Sequence, residues 1–426
     1  MKFLGRIFSA LFYGLLPLKL RKGVQTRVNG IKRAFTSNLE LKIFWRILFF
    51  PIVLPVSLIF ACFKSIALLI SPSMYGYTKY IINQMCTDIL RDKRSLKLAW
   101  KRAALTLELF VKGRETHASY GEKNPDKTFY VIRPYYYLQP NELIFRNIAN
   151  LLTQYYYTLQ KLSYAVENGY IPVVDWENYG RMPHSEDYPV NGTENSWEYY
   201  WEQPSEYTLE EVYQSKNVIL STQNIGQYGY IPSAAMRPPF MQYAQQLAEQ
   251  CPRYADLVPL NETTAKYVQK LYEQLFPENE KVLGVVVRGA SYGQTGTPLH
   301  SHPKQAKINE LIKAVRNYCQ EWGINYVYFM NEMQELVNVM REEFGDHLIV
   351  LPRLRDHLTR PADGITQNPM YASGQRYQTN LDYLTEVALL SKCDSLVGSM
   401  SSGMRTAIIW NAERYEHVVV FEKGLW

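Results

Sequence analysis

Residues 282–302 read VLGVVVRGASYGQTGTPLHSH. The first six, Val282-Leu283-Gly284-Val285-Val286-Val287, are uninterruptedly apolar, the pattern of a strand buried on both faces of a parallel sheet. The run stops abruptly at Arg288-Gly289-Ala290-Ser291-Tyr292-Gly293. Open α/β sheets bind ligands outside the carboxyl ends of their strands, and a guanidinium there offers a planar fork of donors suited to phosphate. The competing reading is a strand-end arginine that points into water.

Downstream of this stretch the sequence alternates. Strands are expected at 325–330, 348–351, 395–397 and 418–421, with helices near 305–322, 332–344, 381–392 and 403–412. The first of these helices places Ile308, Leu311, Ile312, Val315, Cys319 and Trp322 at helical spacing. Strands alternating with helices make a doubly wound sheet. Upstream, strands at 128–132 and 171–175 flank a helix expected over 142–168, a β-α-β unit that also belongs to a parallel sheet. A further strand is expected at 218–220 and helix over most of 234–276, broken at Cys251-Pro252. The polar stretch 277–281 separates the halves. The expected fold class is therefore α/β, with two facing Rossmann-like domains at 126–278 and 279–426.

The first 125 residues have a different character. Residues 1–46 carry ten Lys/Arg against one acid, Glu40, so the net charge of +6 belongs to the front and the remainder is about −3. A cationic surface for nucleic acid is not supported there. Residues 47–63 are free of charge, and a second basic stretch covers 91–114. This pattern predicts a helical, membrane-associating region; a spanning helix needs about 20 apolar residues, and Pro51 and Pro55 would kink this run. Basic flanks on both sides favour a re-entrant hairpin on the cytoplasmic face of a bacterial inner membrane, the alternative being a single span with the catalytic half in a Golgi lumen. The five cysteines are widely spaced, with no CxxC and no metal-type pairing, a usage that fits a reducing compartment.

Two further stretches carry candidate chemistry. In 394–403, DSLVGSMSSG, a strand runs into hydroxyl residues and then a helix start, where backbone N–H groups and the Ser401 and Ser402 hydroxyls suit an anion; plain N-capping would look the same. In 176–207, tryptophans and tyrosines stand beside carboxylates, the composition of a sugar-facing cleft or of a packed loop. A general base for an acceptor hydroxyl is expected among His302, Glu310, Asp175 and Glu198, and the sequence does not choose between them. No Asp-x-Asp occurs, and His300-Ser301-His302 lacks a nearby carboxylate, so no metal and no cofactor besides a donor substrate are expected.

TEVALLSKCDSLVGSMSS, residues 385–402, resembles the last nucleotide-binding motif of the fucosyltransferase superfamily, which includes α-1,6-, nodulation and protein O-fucosyltransferases. It is similar in more detail to a bacterial group from surface-polysaccharide loci, whose RGTDY loop corresponds here to Arg288-Gly289-Ala290-Ser291-Tyr292, whose downstream His-Pro is His302-Pro303, and whose ending matches 415–426. The resemblance implies a GT-B-like fold over 128–426 and a metal-independent inverting transferase moving sugar from a GDP-sugar to a glycan or lipid-linked glycan. It implies donor contacts from Arg288, Gly289, Ser291, Tyr292, Glu386, Ser401 and Ser402, Arg288 lying at the β-phosphate. Val286, Gly289 and Ser291 depart from the superfamily's first motif, which motivates the alternative of an inactive, transferase-derived glycan-binding or assembly protein. A serine acyl hydrolase is a weaker competitor, because a nucleophile elbow needs glycine where Ser399 stands.

Overall fold

The computed structural model describes residues 115–135, 137–138, 145–146, 150–178, 184–186, 188–222, 228–289, 302–356 and 374–426. The apolar run 47–63, the basic stretch 91–114, Ser291, Tyr292 and His300 lie outside the described residues. Among the described residues no helix is long and apolar enough to cross a membrane.

Strands β1 (Thr116–Ala118) and β2 (Lys123–Ile132) open the described chain. An antiparallel pair follows, β3 (Tyr137–Leu138) and β4 (Phe145–Arg146), which lies in one of two compact units into which the chain divides. The other described elements lie in the second unit, residues 112–135 with 147–426. Helix was expected from residue 142, but α1 spans Leu151–Glu167. The reason is local: the Asn150 side chain accepts from the Thr153 N–H at 2.8 Å and caps the helix, while Phe145 and Arg146 are committed to strand pairing. The globular part also begins earlier than residue 126, because β1 and the start of β2 pair with a later strand.

The first sheet adds β5 (Ile171–Val174) and, after the one-turn α2 (Leu209–Val212), β6 (Ser215–Leu220). Its order is β1-β6-β2-β5, with β5 and β6 parallel to the central β2 and β1 antiparallel at the edge. Three helices follow, α3 (Phe240–Gln250), α4 (Pro252–Ala255) and α5 (Glu262–Leu275), broken at Cys251-Pro252 as the sequence predicts.

The second sheet is built as expected from alternating elements: β7 (Val282–Val286), α6 (Ile308–Trp322), β8 (Tyr326–Met330), α7 (Gln334–Phe344), β9 (Leu348–Ile349), α8 (Arg376–Leu390), β10 (Ser395–Gly398), α9 (Ser402–Asn411) and β11 (His417–Val420). All five strands are parallel, in the order β11-β10-β7-β8-β9. Every residue of β7 is buried, as its unbroken apolar run requires. The order reverses between β7 and β10, so the crevice of this sheet opens at their carboxyl ends.

The expected boundary at 277–281 is a short turn between α5 and β7, yet one apolar core crosses it. Ile132, Leu152 and Tyr155 of the first half share a cluster with Leu384, Met400 and Ile408 of the second. The aromatic stretch read as sugar-facing belongs to this core. Trp176, Trp197 and Trp201 are fully buried, and Tyr155 stacks on Trp201 with ring centroids 5.1 Å apart. Their apolar area drives them inward, which overturns the sugar-facing reading for these rings.

Candidate active site at the crevice of the second sheet

The ends of β7 and β10 are locked together before any side chain reaches solvent. The Ser399 N–H donates to the Val286 carbonyl at 3.1 Å, and a Cβ on Gly398 would stand 2.2 Å from that oxygen, so only glycine fits. Gln305 bridges the two loops: its Oε1 accepts from the Arg288 N–H at 2.8 Å and its Nε2 donates to the Met400 carbonyl at 3.2 Å. Ser399 Oγ accepts from the Ala306 N–H at 2.9 Å, tying in the segment before α6. Arg288 and the start of α9 are thereby held as neighbours.

Arg288 projects from this lock with its side chain 25% exposed and its Nε 3.2 Å from Glu332 Oε1. The same carboxylate oxygen accepts from the Gly289 N–H at 2.9 Å. Gly289 packs so tightly on Met333 that a Cβ would come within 2.1 Å of Met333 Cγ. Burial opposes the Glu332 charge, but the Arg288 guanidinium and the Gly289 N–H outweigh it and hold its carboxyl below the usual range. Glu332 was not among the residues singled out from sequence.

Across the crevice, the Ser401 hydroxyl accepts from the Met404 N–H at 3.2 Å and caps α9. Ser402 Oγ lies 2.9 Å from Thr153 Oγ1, one turn into α1, so the start of a first-half helix meets the start of a second-half helix here. Neither α1 nor α9 carries an acidic residue in its first turn. Two such N-termini side by side bring two positive helix ends together, a setting that favours an anion.

His302 is exposed and sits within electrostatic reach of Arg288. Partial desolvation, and then the positive charge of Arg288, lower its pKa, so the imidazole is neutral at pH 7 and able to accept a proton. The other three base candidates lie elsewhere. Asp175 is buried at the end of β5, where it accepts from the Glu177 and Asn178 N–H groups, the Asn178 amide and the Tyr213 hydroxyl. Burial raises its pKa against those four donors. Glu198 accepts from Thr193, Asn195 and Gln203 and organises its own loop. Glu310 lies exposed on the first turn of α6, paired with Lys423.

Glu386 is fully buried in α8, and each of its oxygens holds an arginine: Arg353 Nη2 on Oε2 at 2.7 Å and Arg355 Nη2 on Oε1 at 3.1 Å. It is sealed from any ligand rather than presented to one. Burial works against the Arg353 charge, and the Glu386 carboxylate more than restores it.

No protein-family model matches this sequence, and no curated protein matches it. Among solved structures it is similar to the NodZ α-1,6-fucosyltransferase soaked with GDP-fucose, at 14% identity and TM-score 0.38, covering 70% of this chain and 96% of that one. It is similar also to fucosyltransferase NodZ from Bradyrhizobium, at 14% identity and TM-score 0.37 over 66% of this chain and 92% of that one. POFUT1 in complex with GDP-fucose matches at 10% identity and TM-score 0.28, covering 70% of this chain and 75% of that one. Overlap at this level assigns no residue of this chain a role.

Proposed function

We propose that the chain is a glycosyltransferase that takes sugar from a nucleoside-diphosphate donor, a GDP-sugar such as GDP-fucose, in the crevice between β7 and β10. The observation that carries this reading is the lock at the sheet's switch point, which sets the partly exposed Arg288 beside the capped start of α9. A diphosphate there would accept from the guanidinium, from N–H groups at the start of α9 and from the Ser402 hydroxyl. These groups stabilise the negative charge that grows on the leaving diphosphate.

The transfer is a direct displacement. An acceptor hydroxyl attacks the anomeric carbon as the bond from that carbon to the phosphate oxygen breaks. His302 takes the hydroxyl proton, and the nucleoside diphosphate leaves with the electron pair, inverting the anomeric centre. The acceptor is a glycan or lipid-linked glycan of a surface polysaccharide, and the basic front holds the catalytic part at the cytoplasmic face of a bacterial inner membrane.

The reading is tested by incubating the full chain with GDP-fucose, GDP-mannose and UDP-glucose, with and without bacterial polysaccharide, and measuring released nucleoside diphosphate. Acceptor-dependent release of GDP from one GDP-sugar is expected. Nucleotide binding without release under any condition favours the inactive, glycan-binding alternative, and no binding at all overturns the donor assignment. Protease added to intact spheroplasts should leave the second half uncut; cleavage without lysis would place it outside the membrane.

A further inference from the structure

Among the described tryptophans, Trp176, Trp197 and Trp201 are buried, Trp322 and Trp410 are half-buried, and only Trp426 is exposed. One exposed ring is ordinary by itself. What sets this one apart is how it is held. Past β11 the Phe421 N–H still donates to the Gly398 carbonyl of β10, at 2.9 Å. The chain then leaves the sheet edge. It is fastened by the Lys423 ion pair to Glu310 and by Glu422, which accepts from the Met241 N–H at 2.8 Å. Next it pairs antiparallel with the segment before α6. Leu425 opposes Pro303, the Trp426 N–H donates to the His302 carbonyl at 3.1 Å, and the Lys304 N–H donates to the Gly424 carbonyl at 2.9 Å.

That register decides which side chains meet. With Pro303 opposite Leu425, His302 stands opposite Trp426, and side chains directly opposite in an antiparallel pair share one face with their Cβ atoms about 5 Å apart. Lys304, two residues on, is the diagonal neighbour on that face, and its ammonium lies over the Trp426 ring, 5.2 Å from the centroid. Pro303 and Leu425 take the other face: Pro303 is buried and Leu425 packs against the core. The outward face therefore carries an imidazole, an indole and an ammonium. Gln305, the next residue, bridges the Arg288 N–H and the Met400 carbonyl, so this face borders the crevice into which Arg288 projects.

His302 takes the proton of an acceptor hydroxyl only from within about 2.6–3.2 Å, so the acceptor's sugar lies against this face. The indole beside it is flat, apolar and electron-rich, and the C–H groups on one side of a pyranose carry the complementary slight positive charge. A β-linked gluco- or galacto-configured ring has one such C–H face clear of axial hydroxyls. Resting on the transfer reading above, we infer that Trp426 is the acceptor platform: a β-linked hexopyranose stacks on its indole and presents a hydroxyl to His302. The Lys304 ammonium holds the indole in place, so little freedom is lost on binding. Trp176, Trp197 and Trp201, which the sequence offered for this role, cannot take it from within the core.

The test titrates cellotetraose, chitotetraose and β-1,4-galactotetraose into the full chain, with and without GDP, by isothermal titration calorimetry. At least one of the three is expected to bind. Trp426→Ala should weaken it about tenfold, the effect of returning about 55 Å² of apolar face to water. Trp426→Tyr, which keeps a flat ring, should stay within about threefold of the wild type, and GDP affinity should be the same in both variants. Binding of none of the three would overturn the inference, as would an unchanged oligosaccharide affinity in Trp426→Ala. So would a Trp426→Tyr loss equal to that of Trp426→Ala, or a parallel loss of GDP affinity, since either reduces the ring to a packing element. GDP bound with no sugar bound sinks the platform and leaves the donor reading; sugar binding that depends on Trp426 in a chain that binds no GDP sinks the donor reading alone.

Discussion

Both sheets have a point where the strand order reverses, between β2 and β6 in the first and between β7 and β10 in the second. Each sets an arginine just past the end of its central strand, and the two arginines behave oppositely. Arg133 is 1% exposed; its Nε and Nη2 both donate to the Ser221 carbonyl, and its own carbonyl accepts from Lys161 at 2.5 Å. Burial, and then the Arg133 charge, hold the Lys161 amine well below its usual pKa. Arg288 is instead 25% exposed, and its backbone N–H is satisfied by Gln305, a residue from another loop. The first switch point is closed by its own cations and the second is kept open by a neutral bridge. Topology offers a crevice twice, and side-chain chemistry decides which one a ligand can enter.

That contrast is broken most directly by exchanging the effects of the two arginines. Arg288→Ala should abolish transfer and weaken donor binding about tenfold to a hundredfold, the worth of a charge-assisted hydrogen bond, at an unchanged melting temperature. Arg133→Ala should instead cost about 3 kcal/mol of stability through a cavity and an orphaned carbonyl. Denaturant unfolding and nucleotide titration of both variants check this, and equal loss of stability in the two would erase the distinction.

The next effect sharpens it through His302. Its pKa is lowered by partial desolvation and then by the Arg288 charge, so the acid limb of kcat/KM should lie at lower pH than an unperturbed imidazole would give. His302→Gln should remove this acid limb and slow transfer by about 10² to 10⁴. A retained limb would move the base elsewhere.

The first half has its own buried imidazole, and there acid should act on the fold. His184 packs against Trp176, with no hydrogen-bond partner on either nitrogen, and burial lowers its pKa to about 3. The folded value lies below the unfolded value of 6.5. Stability is therefore full above pH 6.5 and lost as pH falls from there toward 3, by up to about 1.4 kcal/mol per pH unit. His184→Phe should flatten that slope in denaturant titrations between pH 6.5 and 4.

The smallest effect is expected at Ser402. Ser402→Ala should weaken donor binding only about threefold to tenfold, because the backbone N–H groups of α9 remain. A larger change in melting temperature than in affinity would make its link to Thr153 purely structural.

The second half was legible from sequence because its signals are local. An unbroken apolar run can only be a doubly buried strand, and Ile308 to Trp322 carry their helical spacing on the surface of the text. The place of Arg288 was legible for the same reason, as a charge where an apolar run stops. Glu386 was located, but its role was not readable: the arginines that seal it lie 31 and 33 residues away in sequence and meet it only because β9 ends beside α8. Asp175 and Glu198 looked available because carboxylates in loops usually are, and nothing in their spacing announces the four and three donors that occupy them. The tryptophans of 176–201 have the same composition whether they face a sugar or a core. The start of α1 was misplaced because residues 142–150 are compatible with helix, and only the Asn150 cap ends the ambiguity.

The shared core has a consequence for how such a chain can change by recombination. Tyr267 of α5 hydrogen-bonds Asp382 of α8, Trp410 of α9 donates to Tyr155 of α1, and the Met241 N–H of α3 is taken by Glu422 near the end of the chain. A crossover at residue 277, the obvious seam in the text, would strip those partners from both products. The exchangeable cassette is the second sheet together with the helices 240–275 that precede it, so new specificities are reached more readily by point substitution at the rim of the crevice than by trading halves.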